Sequence, residues 1–157
     1  MPRHITSRPL AIAFDRAFPV FPKYASVIDM FKAFWPIDKL MTELRIGDIA
    51  FLGTSPIMFD HDGSYSEITP CVEGWTSCLE RMARRINIEL DLSLMRRIAK
   101  RLEFGMLLDV ADIDRAIQLN HRSRAIYLAC PSYLRKSAYV DEMIDISVDE
   151  LGLRRAA

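Results

Sequence analysis

Cysteine is scarce in this chain and comes in an odd number: Cys71, Cys78 and Cys130. That excludes a small domain stapled by disulfides and points to a reducing compartment. Cys71 and Cys78 also lack the close pairing of zinc-binding cysteines, and read as small buried residues. Net charge is missing too. Lys and Arg number 21, Asp and Glu number 21, and the sequence pI is about 6.8. Such a balance argues against a nucleic-acid coat or a polybasic membrane binder, while still admitting a local basic patch. No apolar run approaches the roughly 20 residues that a bilayer span requires. Pro9 to Val20 is broken by Asp15 and Arg16, so it does not read as a secretory signal, and a cytoplasmic location is expected. Catalytic signatures are also absent: no Gly-x-Ser-x-Gly elbow, no phosphate loop, no Cys/His nucleophile pattern.

What remains is ordinary globular composition. Half of the 157 residues are hydrophobic and 27% are charged, which fits one folded domain able to bury roughly 70% of its unfolded surface. The clearest pattern runs from Trp75 to Leu102. Cys78, Leu79, Met82, Ala83 and Ile86 recur at helical spacing, and so do Leu94, Ile98 and Leu102, with Met95 and Ala99 beside them. Ser77-x-x-Glu80 has the spacing of a capping box at the start of the first helix. Asp91 or Ser93 suits the cap of the second, and Gly105 its end. Between the helices, Ile86 to Leu92 alternates apolar and polar residues, the period of a strand. An extended segment is expected there, available for pairing with an earlier hairpin.

That hairpin is the best β signal. Ile49-Ala-Phe-Leu52 and Ile57-Met-Phe59 are short apolar runs around Gly53-Thr-Ser-Pro56, which predicts two strands and a four-residue loop. Asp60-His-Asp-Gly-Ser64 is turn chemistry, and Tyr65 to Thr69 could add a third strand. Ahead of the hairpin, Lys23 to Phe34 reads as a helix stopped by Pro36. A second helix is expected to begin there and to carry Ile37, Leu40, Met41 and Leu44. Residues 1–22 hold four prolines around Leu10 to Phe14 and predict an edge strand or an extended arm. Downstream, Asp109 or Asp112 starts a helix through Ile117, Asn120 to Ser123 interrupts it, and Pro131-Ser132 opens another. Residues 152–157 read as a frayed tail. The expected architecture is therefore α+β: a helix-rich single domain with a small antiparallel sheet centred on the 49–59 hairpin.

Two surfaces invite a functional reading. Arg81, Arg84, Arg85, Arg96, Arg97, Lys100 and Arg101 form the densest charge. On two facing helices they could gather into a cationic face for phosphates or for an acidic partner, or they could simply be a solvated exterior. The first quarter of the chain holds nearly half of its aromatics, among them Phe18, Phe21 and Trp35, which suit either a core corner or an interface. A helix-turn-helix over Leu92–Leu119 has the right outline, but its second helix would present Asp109, Asp112 and Asp114 to phosphates. Asp60-His61-Asp62 could ligate a metal but is better explained as turn formers. Gly53-Thr-Ser55 could hold an anion through its amides, but it lacks a lysine or further glycines. The leading expectation is a non-enzymatic protein-binding module with another protein as partner, homo-oligomerisation being open, and no cofactor, metal or membrane. The alternative is a nucleic-acid-binding regulator using the Arg face. A weaker one is a small enzyme or ligand-binding domain with a pocket beside the hairpin.

Overall fold

The structure is a computed structural model that describes residues 27–150, with side chains from Ala33 to Asp145. The arm expected over 1–22, with Phe18 and Phe21, and the tail over 152–157 lie outside the described residues. The described chain runs α1 (Val27–Ile46), β1 (Phe51–Leu52), β2 (Ser55–Phe59), β3 (Tyr65–Glu67), α2 (Ile68–Arg85), α3 (Ser93–Glu103), α4 (Val110–Ala129) and α5 (Ser132–Glu150). It is a helix-rich α+β domain with one small antiparallel sheet in the order β1-β2-β3. No described helix is long and apolar enough to cross a membrane.

Pro36 does not divide the first helical region as its chemistry suggests; it lies inside a continuous α1. A proline inside a helix forfeits a hydrogen bond and costs about 3 kcal/mol. The opposing term is larger. Ala33, Phe34, Ile37, Leu40, Met41 and Leu44 form an unbroken stripe across the proline, all buried. Each large side chain contributes roughly 1.5–3 kcal/mol on burial, so the stripe outweighs the lost bond. α1 ends at Gly47, whose φ of +72° closes a Schellman turn with Asp48 N–H on Glu43 O at 2.9 Å.

The hairpin is tighter than the four-residue loop expected. Phe51 pairs with Pro56 and Leu52 with Ser55, leaving only Gly53 and Thr54 in the turn. Gly53 takes φ +64° and Thr54 keeps a negative φ, the type II′ pattern whose twist matches the strands. β3 pairs Tyr65 with Phe59 and Glu67 with Ile57. Pro56, Ile57 and Met58 are buried, which ties the sheet to the helices.

α2 is the spine of the domain and packs against α3, α4, α5, β2 and β3. It begins at Ile68, well before the Ser77–Glu80 spacing. Pro70 sits in its first turn, where a missing N–H leaves no bond unmade. The capping-box reading therefore fails: Ser77 and Glu80 lie in mid-helix and serve other helices. Trp75 is wholly buried at the centre. Its indole Nε1–H donates to Ala33 O at 3.3 Å, and Phe34 meets its ring edge-on at 5.3 Å. Tyr127 of α4 takes the other edge of Phe34 at 5.5 Å.

The alternating Ile86–Leu92 link is not a strand. Asn87 adopts φ +57°, with Ile88 N–H on Ala83 O at 2.9 Å and Asn87 N–H on Arg84 O at 3.1 Å, a Schellman close to α2. The alternation survives in burial only at its end, with Leu90 half-buried and Leu92 inside and Glu89 and Asp91 out, while Ile88 is exposed. Its donors go elsewhere, however. Glu80 Oε2 accepts Leu92 N–H at 2.8 Å, so no sheet ladder forms. Leu92, not Asp91 or Ser93, is the N-cap of α3 and no side chain caps it; Asp91, one residue earlier, accepts Ser93 N–H at 2.9 Å. Leu94, Met95, Ile98 and Ala99 are buried as expected, while Leu102 at the end of the stripe is half-buried.

α4 runs unbroken through Asn120–Ser123, where an interruption was expected. Both polar side chains face inward and are bonded: Asn120 Nδ2 donates to Asp38 Oδ1 of α1 at 2.7 Å, and Ser123 Oγ donates to Leu119 O at 2.8 Å. Asp109 is the cap, as its sequence position predicts, accepting Ala111 N–H at 2.9 Å.

Candidate functional site

The seven cations of the central pair do not form one face. Arg81 and Arg85 lie along the flank of α2 that meets α5. Arg81 Nε donates to Glu142 Oε2 at 2.9 Å and its Nη2 pairs with Asp145. Arg85 Nε donates to Ser137 Oγ at 3.1 Å and its Nη2 pairs with Asp141. Partial burial works against the Arg81 charge, but the bonds from Asp145 and Glu142 outweigh it and hold the guanidinium protonated more firmly than usual. Arg96 reaches back from α3 to Glu80 with two bonds, of 2.8 and 3.1 Å, and to Thr76 Oγ1 at 2.9 Å. These three arginines clasp α2 to α5 and to α3.

Arg84, Arg97 and Lys100 are exposed, and no ion pair to them is found among the described residues. Arg101 is half-buried and donates to Leu107 O at 3.3 Å. Trp35 is also half-buried, with Lys39 Nζ 5.9 Å from its ring.

Sequence reasoning missed the segment that Arg101 pins. Phe104, Met106, Leu107 and Val110 are 74, 53, 92 and 71% exposed. Scattered surface apolar residues are normal, but four large ones within seven positions are a patch. Arg97, Lys100 and Phe104 follow one another at three- and four-residue spacing, so the two cations lead along one face of α3 to the start of the apolar loop. The signal is in the sequence: Phe104, Met106 and Leu107 follow the last residue of the α3 stripe, and of the Met106-Leu-Leu108 run only Leu108 packs against the core.

Two concave features stand elsewhere. A cavity of about 150 Å³ beside the hairpin is lined by Ser55, Glu67, Thr69 and Glu103, among others, but not by His61 or Cys71. Its two carboxylates, with no cation in the lining, work against an anion at Gly53–Ser55. His61 Nδ1 and its own N–H both meet Asp60 Oδ1, at 2.8 and 2.7 Å, and Asp62 Oδ1 accepts Ser64 N–H and Oγ–H, which is turn chemistry. Among the described residues no group of three or more His, Cys, Asp or Glu could hold a metal. Cys71, Cys78 and Cys130 are free and buried. Burial, with Asp60 nearby, pushes the Cys71 thiol up to about 12, and burial raises the other two as well.

The larger feature is a cleft of about 330 Å³ between α1 and α4. Asp38, Thr42 and Arg45 come from α1; Ile117, Asn120, His121 and Arg124 come from α4. Arg124 Nη2 pairs with Asp38 Oδ2 and stacks 5.0 Å from the centre of the Phe34 ring. Asn120 is 4% exposed, and its amide oxygen has no hydrogen-bond partner.

Comparison with family models, with characterised proteins and with solved structures finds no match to this chain.

Proposed function

We propose that this chain is a non-enzymatic protein-binding module that docks through the ridge formed by Arg97, Lys100, Phe104, Met106, Leu107 and Val110. The exposed apolar cluster of the α3–α4 segment carries this reading, because removing such side chains from water is what drives association. The chemistry beside it selects the occupant. Arg97 and Lys100 have no carboxylate partner among the described residues, so an acidic segment of another protein with apolar anchors complements the ridge. The withdrawal of Arg81, Arg85 and Arg96 into ion pairs leaves fewer cations for a phosphate backbone, which ranks the nucleic-acid reading second.

A pull-down from the native host with a salt titration tests this. Wild type should retain a partner that Phe104→Ala with Leu107→Ala loses, with the circular dichroism of the variant unchanged. Lys100→Glu should weaken the same complex, most strongly at low salt. Identical capture by wild type and the double variant would overturn the reading. Steeply salt-dependent nucleic-acid binding abolished by Arg84→Glu with Arg97→Glu, and untouched by the loop variant, would replace it with the alternative.

A further inference from the structure

α5 has two apolar faces. Leu134, Ala138, Tyr139 and Met143 pack against the core. Tyr133, Val140 and Ile144 are 68, 40 and 55% exposed. They follow one another at seven and four residues, so at 3.6 residues per turn all three fall within about 40° of arc, on the side of the helix away from Ala138. A surface helix turns charge outward, whereas a helix that is apolar on opposite sides is one that is covered on both. None of the docking-ridge residues belongs to this stripe.

The order of charge along α5 selects what covers it. Its only cations, Arg135 and Lys136, stand near its start, and its acids, Asp141, Glu142, Asp145, Asp149 and Glu150, fill its second half. That order opposes the helix dipole, which favours acids at the start and cations at the end. The acids in the middle are answered within the chain, since Arg81 pairs with Glu142 and Asp145, and Arg85 with Asp141. Arg135 is buried and stacks 4.6 Å from the centre of the Tyr127 ring. Lys136 is exposed, one turn after Tyr133. The last turn, with Asp149 and Glu150, holds no cation of its own. A helix with the same charge order, laid antiparallel on the stripe, sets its cationic start and positive dipole end against that acidic end, and its acidic end against Lys136.

We propose that the outward face of α5 is a self-association surface, on which α5 of a second copy packs antiparallel about a two-fold axis. Such a contact is isologous and closes at two copies. The 19 residues of α5 span about 28 Å, long enough for Val140 of each copy to lie over Ile144 of the other with the two helices overlapping along nearly their whole length. That register brings Lys136 of each copy alongside the acidic last turn of the other. Parallel packing sets Lys136 against Lys136 and acids against acids, which disfavours it.

Sedimentation equilibrium of the full chain tests this. The mass should rise with concentration, between about 1 μM and 1 mM, from the 18.0 kDa of one chain towards twice that value. Val140→Lys with Ile144→Lys should stay at 18.0 kDa with unchanged circular dichroism, both positions being exposed. Lys136→Glu should weaken the dimer about tenfold, Glu150→Lys should do the same, and the two changes together should recover it. Lys136 is exposed, so this reversal decides the matter even if the double lysine variant does not fold. Phe104→Ala with Leu107→Ala should leave the mass unchanged, which keeps this outcome separate from that of the docking ridge. A chain that stays at 18.0 kDa at every concentration would overturn the proposal, as would a dimer indifferent to Val140→Lys with Ile144→Lys. Failure of the combined reversal to recover association would overturn the antiparallel arrangement.

Discussion

Replacing Glu80 by alanine should destabilise the domain by about 2 kcal/mol, although Glu80 belongs to no stripe of the core. Its carboxylate serves two elements at once. Oε2 accepts Leu92 N–H at 2.8 Å just ahead of α3, and both oxygens hold the Arg96 guanidinium. Removing it leaves a part-buried backbone N–H without its acceptor, which costs about 1–2 kcal/mol. The ion pair adds less. Arg96 is 30% exposed and Glu80 16%, so water screens the charges and recovers part of the loss, leaving about 0.5–1 kcal/mol. A chain of this length loses roughly 2–4 °C of Tm per kcal/mol, so a fall of about 4–8 °C is expected. Urea unfolding of wild type, Glu80→Ala, Arg96→Met and the double variant gives both the total and the coupling, expected near 1 kcal/mol. The reasoning is refuted if Glu80→Ala stays within about 0.5 kcal/mol of wild type, the scatter of surface substitutions. Strict additivity of the two single changes would show that the pair is idle and the N–H term acts alone.

Three further outcomes follow from the same structure. Ile98→Asp sets a carboxylate at a position 3% exposed in the α2–α3 seam and should abolish cooperative unfolding; a folded variant by circular dichroism would contradict the assigned stripe. With its pKa at about 12, Cys71 is thiolate at only about one part in ten thousand at pH 8, so Ellman's reagent should label it only with denaturant present. The same shift has a linkage sign: the folded value lies above the unfolded one, so stability is whole below about pH 8.5 and declines as pH rises beyond it. The Ser93 N–H holds the exposed Asp91 carboxyl below its usual range, so this contact stabilises the start of α3 above about pH 4 and is lost as pH falls further; Asp91→Ala should lower the Tm slightly at pH 7 and leave it unchanged in strong acid.

Local pattern carried much of the fold into the sequence. The buried stripes of α2 and α3 and the Gly105 end of α3 were legible because each is set by neighbours within a few residues. The misreadings share a cause. Ser77 and Glu80 stand at capping-box spacing, yet Ser77 Oγ donates to Glu142 Oε2 at 2.7 Å, a partner 65 residues away. Asn120 looked like a break because its Asp38 partner is 82 residues upstream. Pro36 looked like a stop because the stripe that overrides it acts only once the core exists. The arginine cluster was visible as composition, but which members would be turned to Glu80 and to the α5 acids depended on α5 docking. The apolar loop is visible as composition too, but exposed apolar residues leave no periodicity to mark them as a surface.

The α2–α5 clasp also sets a timetable. Arg81 and Arg85 find their carboxylates 56 to 64 residues downstream. Ribosomes add about 5–20 residues per second, so the spine helix waits roughly 3–12 s between its own synthesis and the arrival of the acids that complete it. During that interval α3 can already lie against it, since Arg96 and Glu80 are only 16 residues apart. The nascent chain thus passes through a half-built stage with one side of α2 bare, in which Cys78, beside Glu142 of α5 in the finished fold, still awaits burial. Ribosome-bound chains arrested after Ala129 and after the C-terminus should differ in Cys78 labelling, and that difference would date the closing of the domain.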